Sequence, residues 1–164
     1  MPDYIDPQGR HIGRLTILYA SETAPPDGSE LDPASYERVG LLASNTVSIN
    51  GENVTPQDKE TDFWNSSLVT GANYEVPLEG NRPITDDPGL ALIRQSATTG
   101  SVIYWLRLTL DPDTDTALEG SQAAYGQAQA TSYEEEDPAD DVATYSATLV
   151  GQGPLTYETI QPAA

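Results

Sequence analysis

Short segments in which apolar and polar residues alternate recur along this chain. A period of two residues is typical of β-strands that bury one face and leave the other in water. In Gly71–Gly80, the apolar residues Tyr74, Val76 and Leu78 share one face. Further segments of this kind are Arg14–Tyr19, Arg38–Leu42, Thr46–Asn50, Ser101–Leu110, Ser121–Tyr133 and Val142–Val150. The pattern therefore predicts a mainly β fold.

Within Thr46–Asn50 we expect Val47 and Ile49 to face inward, with Thr46, Ser48 and Asn50 facing outward. The segment ends at the dipeptide Asn50-Gly51, and both residues tolerate the positive φ angles of a two-residue turn. The sequence therefore predicts a tight hairpin at this dipeptide.

One helix is predicted in the middle of the chain. Asp86-Asp87-Pro88 offers an N-cap followed by a proline in the first turn, and Gly100 suits the residue after the helix end. Many short strands with a single helix indicate a β-sandwich with one flanking α-helix.

A chain of 164 residues is the size of one domain, and we expect residues 1–164 to form it. Proline and glycine residues set three segments apart from the strands. These are an N-terminal arm at 1–13, a Pro-rich loop at 22–35 and a C-terminal tail at 156–164.

The charge balance excludes several classes of protein. There are 26 Asp and Glu against 7 Lys and Arg, a formal net charge of −19, so a basic nucleic-acid reader is excluded. The chain has no cysteine and one histidine, and no nucleophile or phosphate-binding motif is present. We therefore expect no enzyme and no cofactor. The longest apolar runs are far shorter than the ~20 residues of a membrane-spanning helix, so we expect no membrane insertion.

One loop offers a weak cation site. Asp111, Asp113 and Asp115 alternate as in a calcium loop, where several oxygen ligands bind together. However, Thr116 stands where such a loop has glycine, and Gln122 stands where it has a bidentate glutamate. A solvated acidic loop is the favoured interpretation, with no metal bound.

The C-terminal part of the chain carries a family resemblance. Gly126, Ala128, Thr131 and Ser132 match a Gly-x-Ala-x-Val-Thr-Ser strand, with Ala130 in place of the valine. An acidic turn with Asp-Asp, then Ala-Thr-Tyr-Ser and Gly-Gln-Gly-Pro-Leu follow, ending at residue 155. This order resembles the major tail tube proteins of long-tailed (siphovirus-like) phages and archaeal tailed viruses. Earlier landmarks agree in order from about Leu15 onward.

The resemblance implies a fold, an assembly and a location. Each subunit would contribute strands to a β-barrel shared by a hexameric ring, and stacked rings would form a tube through which viral DNA passes. Other tail proteins (tape measure, tail terminator and distal tail) would be partners. The protein would be assembled in the host cytoplasm and located in the virion tail.

Two sets of residues are candidates for such an assembly. Polar side chains on strand faces that would line an acidic lumen, without retaining DNA, are Ser48, Asn50, Asn73, Glu75 and Glu79. Candidates for contacts between subunits are Asp58, Lys59, Phe63 and Trp64.

The residues by themselves leave other functions open. One is a monomeric, salt-adapted β-sandwich that binds a carbohydrate or a cation through Trp105, the tyrosines or the Asp111–Asp115 loop. Another is a different ring component of a tail or secretion-type system. The acidity fits either a lumen or a saline host.

Overall fold

The computed structural model describes residues 16–54, 68–111 and 113–162. In chain order, the elements are β1 (Thr16–Ser21), a short 3-10 helix (Pro33–Ser35), β2 (Glu37–Arg38), β3 (Leu42–Asn45), β4 (Ser48–Val54), β5 (Leu68–Asn81), α1 (Pro88–Thr99), β6 (Ile103–Thr109), β7 (Gln122–Glu136), β8 (Thr144–Gly151) and β9 (Thr156–Thr159). The prediction of a mainly β fold with one helix is confirmed.

The strands form a single antiparallel sheet in the order β2-β1-β6-β7-β8-β5-β3. β4 continues along the same edge of β5 beyond β3, and β9 continues along β7 beyond β8. The sheet curls so far that β3, at one end of this order, contacts β1 near the other end. At this contact the Asn45 side-chain amide donates to the Thr16 carbonyl at 3.2 Å. The Arg107 Nε also donates to Asn45 Oδ1 at 2.7 Å.

The main core lies between the curled sheet and α1. Its largest fully buried side chains are Leu18, Val39, Val76, Leu78, Ile93, Ile103, Trp105 and Leu149. A second core covers the opposite face of β1 and β6, where Tyr19, Tyr36, Leu106, Leu108 and Leu110 pack together. This explains why β6 is apolar on both faces, since each face meets a different core.

The helix ends where the sequence predicts. The Asp87 side chain accepts from the Leu90 N–H, and Gly100 adopts φ 75° as the left-handed residue after the helix. Ser96 is buried in the middle of α1. Its hydroxyl donates to the Ser101 carbonyl at 2.5 Å and accepts from the Ala130 N–H at 3.0 Å. A helix side chain thus takes the place of a strand partner at this point of β7.

Several predicted boundaries are wrong. Asn50-Gly51 makes no turn, because Gly51 lies within β4 opposite Ala72 and the β4–β5 connection comes later, at residues 55–67. The segment Arg38–Leu42 is split into β2 and β3 at Leu41, which has φ 56°. The tail predicted at 156–164 contains β9. Val47 packs partly against the core as expected, but Ile49 is 58% exposed because it lies beyond the edge of the core.

Candidate functional site: a polar sheet face and a projecting ribbon

One part of the sheet has an exposed, polar face. In this part four rows of strand lie side by side: β3 and β4, which share one edge of β5, then β5, β8 and the second half of β7. The other face of these strands packs on the core. On β5, Tyr74, Val76 and Leu78 are buried, and the residues between them are exposed or half-buried. Alternation along β5 therefore separates a dry face from a wet one, as the sequence predicts.

The five predicted lumen residues all lie on this wet face. Asn73, Glu75 and Glu79 alternate along β5 and are exposed. On β4, Ser48 lies opposite Glu75, and Asn50 lies opposite Asn73. Directly opposed residues of neighbouring strands point to the same side of the sheet. The structure thus brings the five side chains together on one surface, which we call the polar face.

Two further glutamates belong to the polar face. Ser146 on β8 has Glu79 as its neighbour on one side and Glu134 of β7 on the other. Glu136 lies opposite Thr144 in the next row. With Glu79 and Ser146, these glutamates line a cleft of about 670 Å³. The sequence interpretation missed them because it ended the strand at Tyr133 and took the run of acids that follows for a turn, whereas β7 continues to Glu136.

Positive charges lie on the other side of the same strand end. Glu135 is flanked by Arg82 (Nε–Oε2 3.6 Å) and Arg94 (Nη1–Oε1 3.7 Å). Arg82 also binds Asp137 at 2.6 Å. Burial and a hydrogen bond from its hydroxyl to Glu135 raise the pKa of Tyr133 to about 12. Among the described residues, the polar face thus carries Glu52, Glu75, Glu79, Glu134 and Glu136 but no lysine or arginine.

β4 and the first part of β5 project from the sheet as a two-stranded ribbon, residues 48–54 and 68–73. β8 pairs with β5 only from Glu75 onward, so in the described chain the ribbon has no third strand. Residues 49–54 and 70–73 are all exposed, including Val54 at 52%. A hairpin of two strands is marginally stable alone in water, so contacts beyond its two strands would stabilise this ribbon.

Other predicted site residues have different outcomes. Asp58, Lys59, Phe63 and Trp64 fall in residues 55–67, outside the described ranges. In the described part of the chain, no three His, Asp or Glu side chains are grouped to hold a metal ion, so Asp111, Asp113 and Asp115 gain no support. Trp105 is fully buried, with its Nε1 donating to the Tyr74 hydroxyl at 3.3 Å, so it cannot contact a ligand.

Comparison with known proteins agrees with this geometry. Residues 13–157 match the phage tail tube protein family, and the chain belongs to that family. It is therefore a structural component of the virion tail and not an enzyme. No curated protein matches the sequence. Within the described residues, no helix is long and apolar enough to cross a membrane.

Solved structures share the fold at low sequence identity. The tail of an empty gene transfer agent particle, refined with C6 symmetry, is 18% identical, with a TM-score of 0.66 over 92% of this chain and 100% of that one. The SPP1 tail tube is 12% identical, with a TM-score of 0.65 over 92% and 80%. The sheath–tube complex of an extracellular contractile injection system is 12% identical, with a TM-score of 0.61 over 98% and 92%.

Proposed function

We propose that this protein forms six-membered rings that stack into a tube for viral DNA, with the polar face as the wall of the lumen. The observation that carries the proposal is the distribution of charge. Five glutamates lie on the polar face, whereas Arg82 and Arg94 bind acids on the opposite side of the β7 end. Six copies follow the C6 symmetry of the similar gene transfer agent tail.

The open edges of the sheet support a shared barrel. The outer edge of β4 has no strand partner in the described chain. On β7, pairing with β6 ends at Ala128, α1 closes the edge at Ala130, and no described strand pairs with the rest of that edge up to Glu136. Four strands from each of six copies would give a barrel of about 24 strands, wide enough for an aqueous channel. Closing the ring also removes free edges that would otherwise aggregate.

An acidic wall suits the passage of a polyanion. DNA binds proteins mainly through contacts between phosphates and Lys or Arg, which the polar face lacks among its described residues. Carboxylates repel phosphates over roughly 8–10 Å at physiological salt. In this tube, the genome would pass without being retained.

Rings would stack through the ribbon, and other tail proteins would bind the ends of the tube. The predicted contact residues Asp58, Lys59, Phe63 and Trp64 fall between β4 and β5 in the sequence. A buried Phe-Trp pair would act as a hot spot at such a joint. The tape measure would bind inside, with the tail terminator and the distal tail protein at the two ends.

The lumen assignment is tested by reversing its charge. We expect Glu75→Lys/Glu79→Lys/Glu134→Lys tubes to retain at least tenfold more nuclease-protected duplex DNA than unmodified tubes at low salt. The matched control Glu22→Lys/Asp27→Lys/Glu37→Lys changes three exposed acids of the first loop and β2. Its bound DNA should remain open to nuclease.

The outcomes separate the alternatives. Equal protection in both variants would place the polar face outside the tube and contradict the assignment. If the lysine variant does not assemble, Glu75→Gln/Glu79→Gln/Glu134→Gln tests the same wall without adding charge and should retain an intermediate amount of DNA. A purified protein that stays monomeric at all concentrations and salt levels would refute the tube itself.

A further inference from the structure

Arg107 differs from the arginines beside the polar face. It continues the buried side of β6 after Ile103 and Trp105 and is itself half-buried. Its Nε donates to Asn45 Oδ1 at 2.7 Å, but no carboxylate of the described residues pairs with it. Burial lowers the pKa of its guanidinium. A desolvated cation without an anion is costly, so an acidic partner would be stabilising here.

Arg107 opens into a cleft of about 530 Å³. Polar side chains that line it with Arg107 are Thr16, Thr109, Ser121, Gln122 and Tyr157. Glu119 also lines the cleft, but none of the ion pairs among the described residues joins it to Arg107. Hydroxyl and amide groups around one guanidinium suit a carboxylate.

The cleft and the acidic turn lie at opposite ends of the subunit. Arg107 is opposite Ala124, near the start of β7, and the turn at residues 137–143 follows the last residue of that strand. Fifteen residues of strand separate the two ends, roughly 45 Å, so a copy cannot reach its own cleft with this turn. Asp137 in the turn is held by Arg82, whereas Asp140 and Asp141 are exposed and have no ion pair with a described residue.

We propose that Asp140 and Asp141 of one copy enter the Arg107 cleft of the next copy along the tube. Head-to-tail stacking brings opposite ends of identical subunits together, and this proposal rests on the stacking proposed above. The other acidic loop, at 111–116, follows β6 at the same end as the cleft, so it does not meet the cleft in a head-to-tail stack. The partner copy would supply the anion that Arg107 lacks among the described residues of its own chain.

A cysteine pair tests the contact directly, since the chain has no cysteine of its own. We expect Gln122→Cys/Asp140→Cys protein, oxidised under tube-forming conditions, to give a ladder of dimers, trimers and longer chains on a non-reducing gel. Each single variant can form at most a dimer. The control Glu22→Cys/Asp140→Cys has its second cysteine on the exposed first loop and should give no ladder.

Charge reversal gives a second measurement. We expect Asp140→Lys/Asp141→Lys to raise the protein concentration needed for tubes at least tenfold, with an unchanged melting temperature because both residues are exposed. Glu22→Lys/Asp27→Lys makes the same change in net charge and should assemble normally. Adding Arg107→Glu to the Asp140→Lys/Asp141→Lys variant should restore assembly.

The two levels of the proposal fail differently. Tubes of the Gln122→Cys/Asp140→Cys variant that give no ladder would overturn the docking of the acidic turn and leave the tube standing. An unmodified protein that forms no tubes would overturn the stacking, and the docking with it.

Discussion

The curled sheet with α1 and the projecting ribbon have the same alternating pattern but differ in how far the chain itself buries their residues. In the curled sheet, Leu78 of β5 lies between β3 and β8, Val76 lies opposite Leu149 of β8, and both are fully buried. A few residues earlier on the same strand, Ala72 and Asn73 are both exposed. One strand therefore passes from a region whose residues the described chain buries to a region whose residues it leaves exposed.

The edges of the sheet make the same contrast. The edge of β7 at Ala130 is closed by the Ser96 hydroxyl of α1, and Gln129 reaches the Gly100 carbonyl beside it. The ribbon edges have no such cover among the described residues. Exposed strand edges pair with other chains unless they are protected. We therefore propose that the curled sheet provides the stability of one copy and that the ribbon provides assembly.

The largest effect is expected from the apolar side of the ribbon. Ile49→Ser should abolish tubes or raise the concentration they need by more than tenfold, because Ile49 is 58% exposed in one copy and would be buried between copies. Its melting temperature as a monomer should stay unchanged. Thermal unfolding with sedimentation and negative-stain imaging measures both properties.

Ile84→Ser is the matched control for this change. Ile84 is fully exposed in the segment before α1, so the same substitution there should affect neither stability nor assembly. A loss of monomer stability in Ile49→Ser would show that the ribbon belongs to the folding unit, and the contrast between the two regions would be wrong.

The second effect concerns the curled sheet. Ser96→Ala leaves the Ala130 N–H and the Ser101 carbonyl without their partner, which should lower the free energy of unfolding by about 1–3 kcal/mol. Tubes should still form at low temperature, because the ribbon is untouched. Urea unfolding measures the change. Thr98→Ala is the control: it removes only an exposed bond to the Arg94 carbonyl, so a loss as large as that of Ser96→Ala would refute the role of Ser96.

The sequence predicted those features of the fold that depend on neighbouring residues alone. The buried face of β5, the cap at Asp87 and the left-handed Gly100 follow from alternation and from the needs of helix ends. Gly51 shows the limit: Asn-Gly permits a turn, but the pairing of β4 with β5 placed the dipeptide inside a strand. β9 pairs with the edge of β7, and the alternation within a segment does not report which edge is free to pair with it.

The residues of the candidate site also divide into predictable and unpredictable ones. The five polar-face residues were predictable because each alternates with buried neighbours on its own strand or lies opposite one that does. Glu134 and Glu136 were not, since a run of acids reads as a solvated turn until β8 is known to pair with it. The Arg107 cleft depends on β1, β6, β7 and β9 meeting at one end of the sheet, which sequence periodicity does not report.

The smallest effect isolates one contact between α1 and the sheet. Asp87 accepts from the Leu90 N–H through Oδ1 at 3.1 Å and from the Gly40 N–H through Oδ2 at 3.0 Å. Asparagine caps helices about as well as aspartate, so Asp87→Asn keeps the cap and removes the bond to Gly40. We expect a loss of about 1 kcal/mol in the free energy of unfolding, with tubes unaffected.

Asp86→Asn provides the control, because the one ion pair of Asp86 with a described residue is an exposed one, to Arg94 at 3.6 Å. Such pairs contribute at most about 0.5–1 kcal/mol, and screening by salt removes much of that. The difference between the two variants should therefore persist at high salt. If it vanishes there, the contribution of Asp87 is long-range charge rather than the bond that ties α1 to the turn at Gly40.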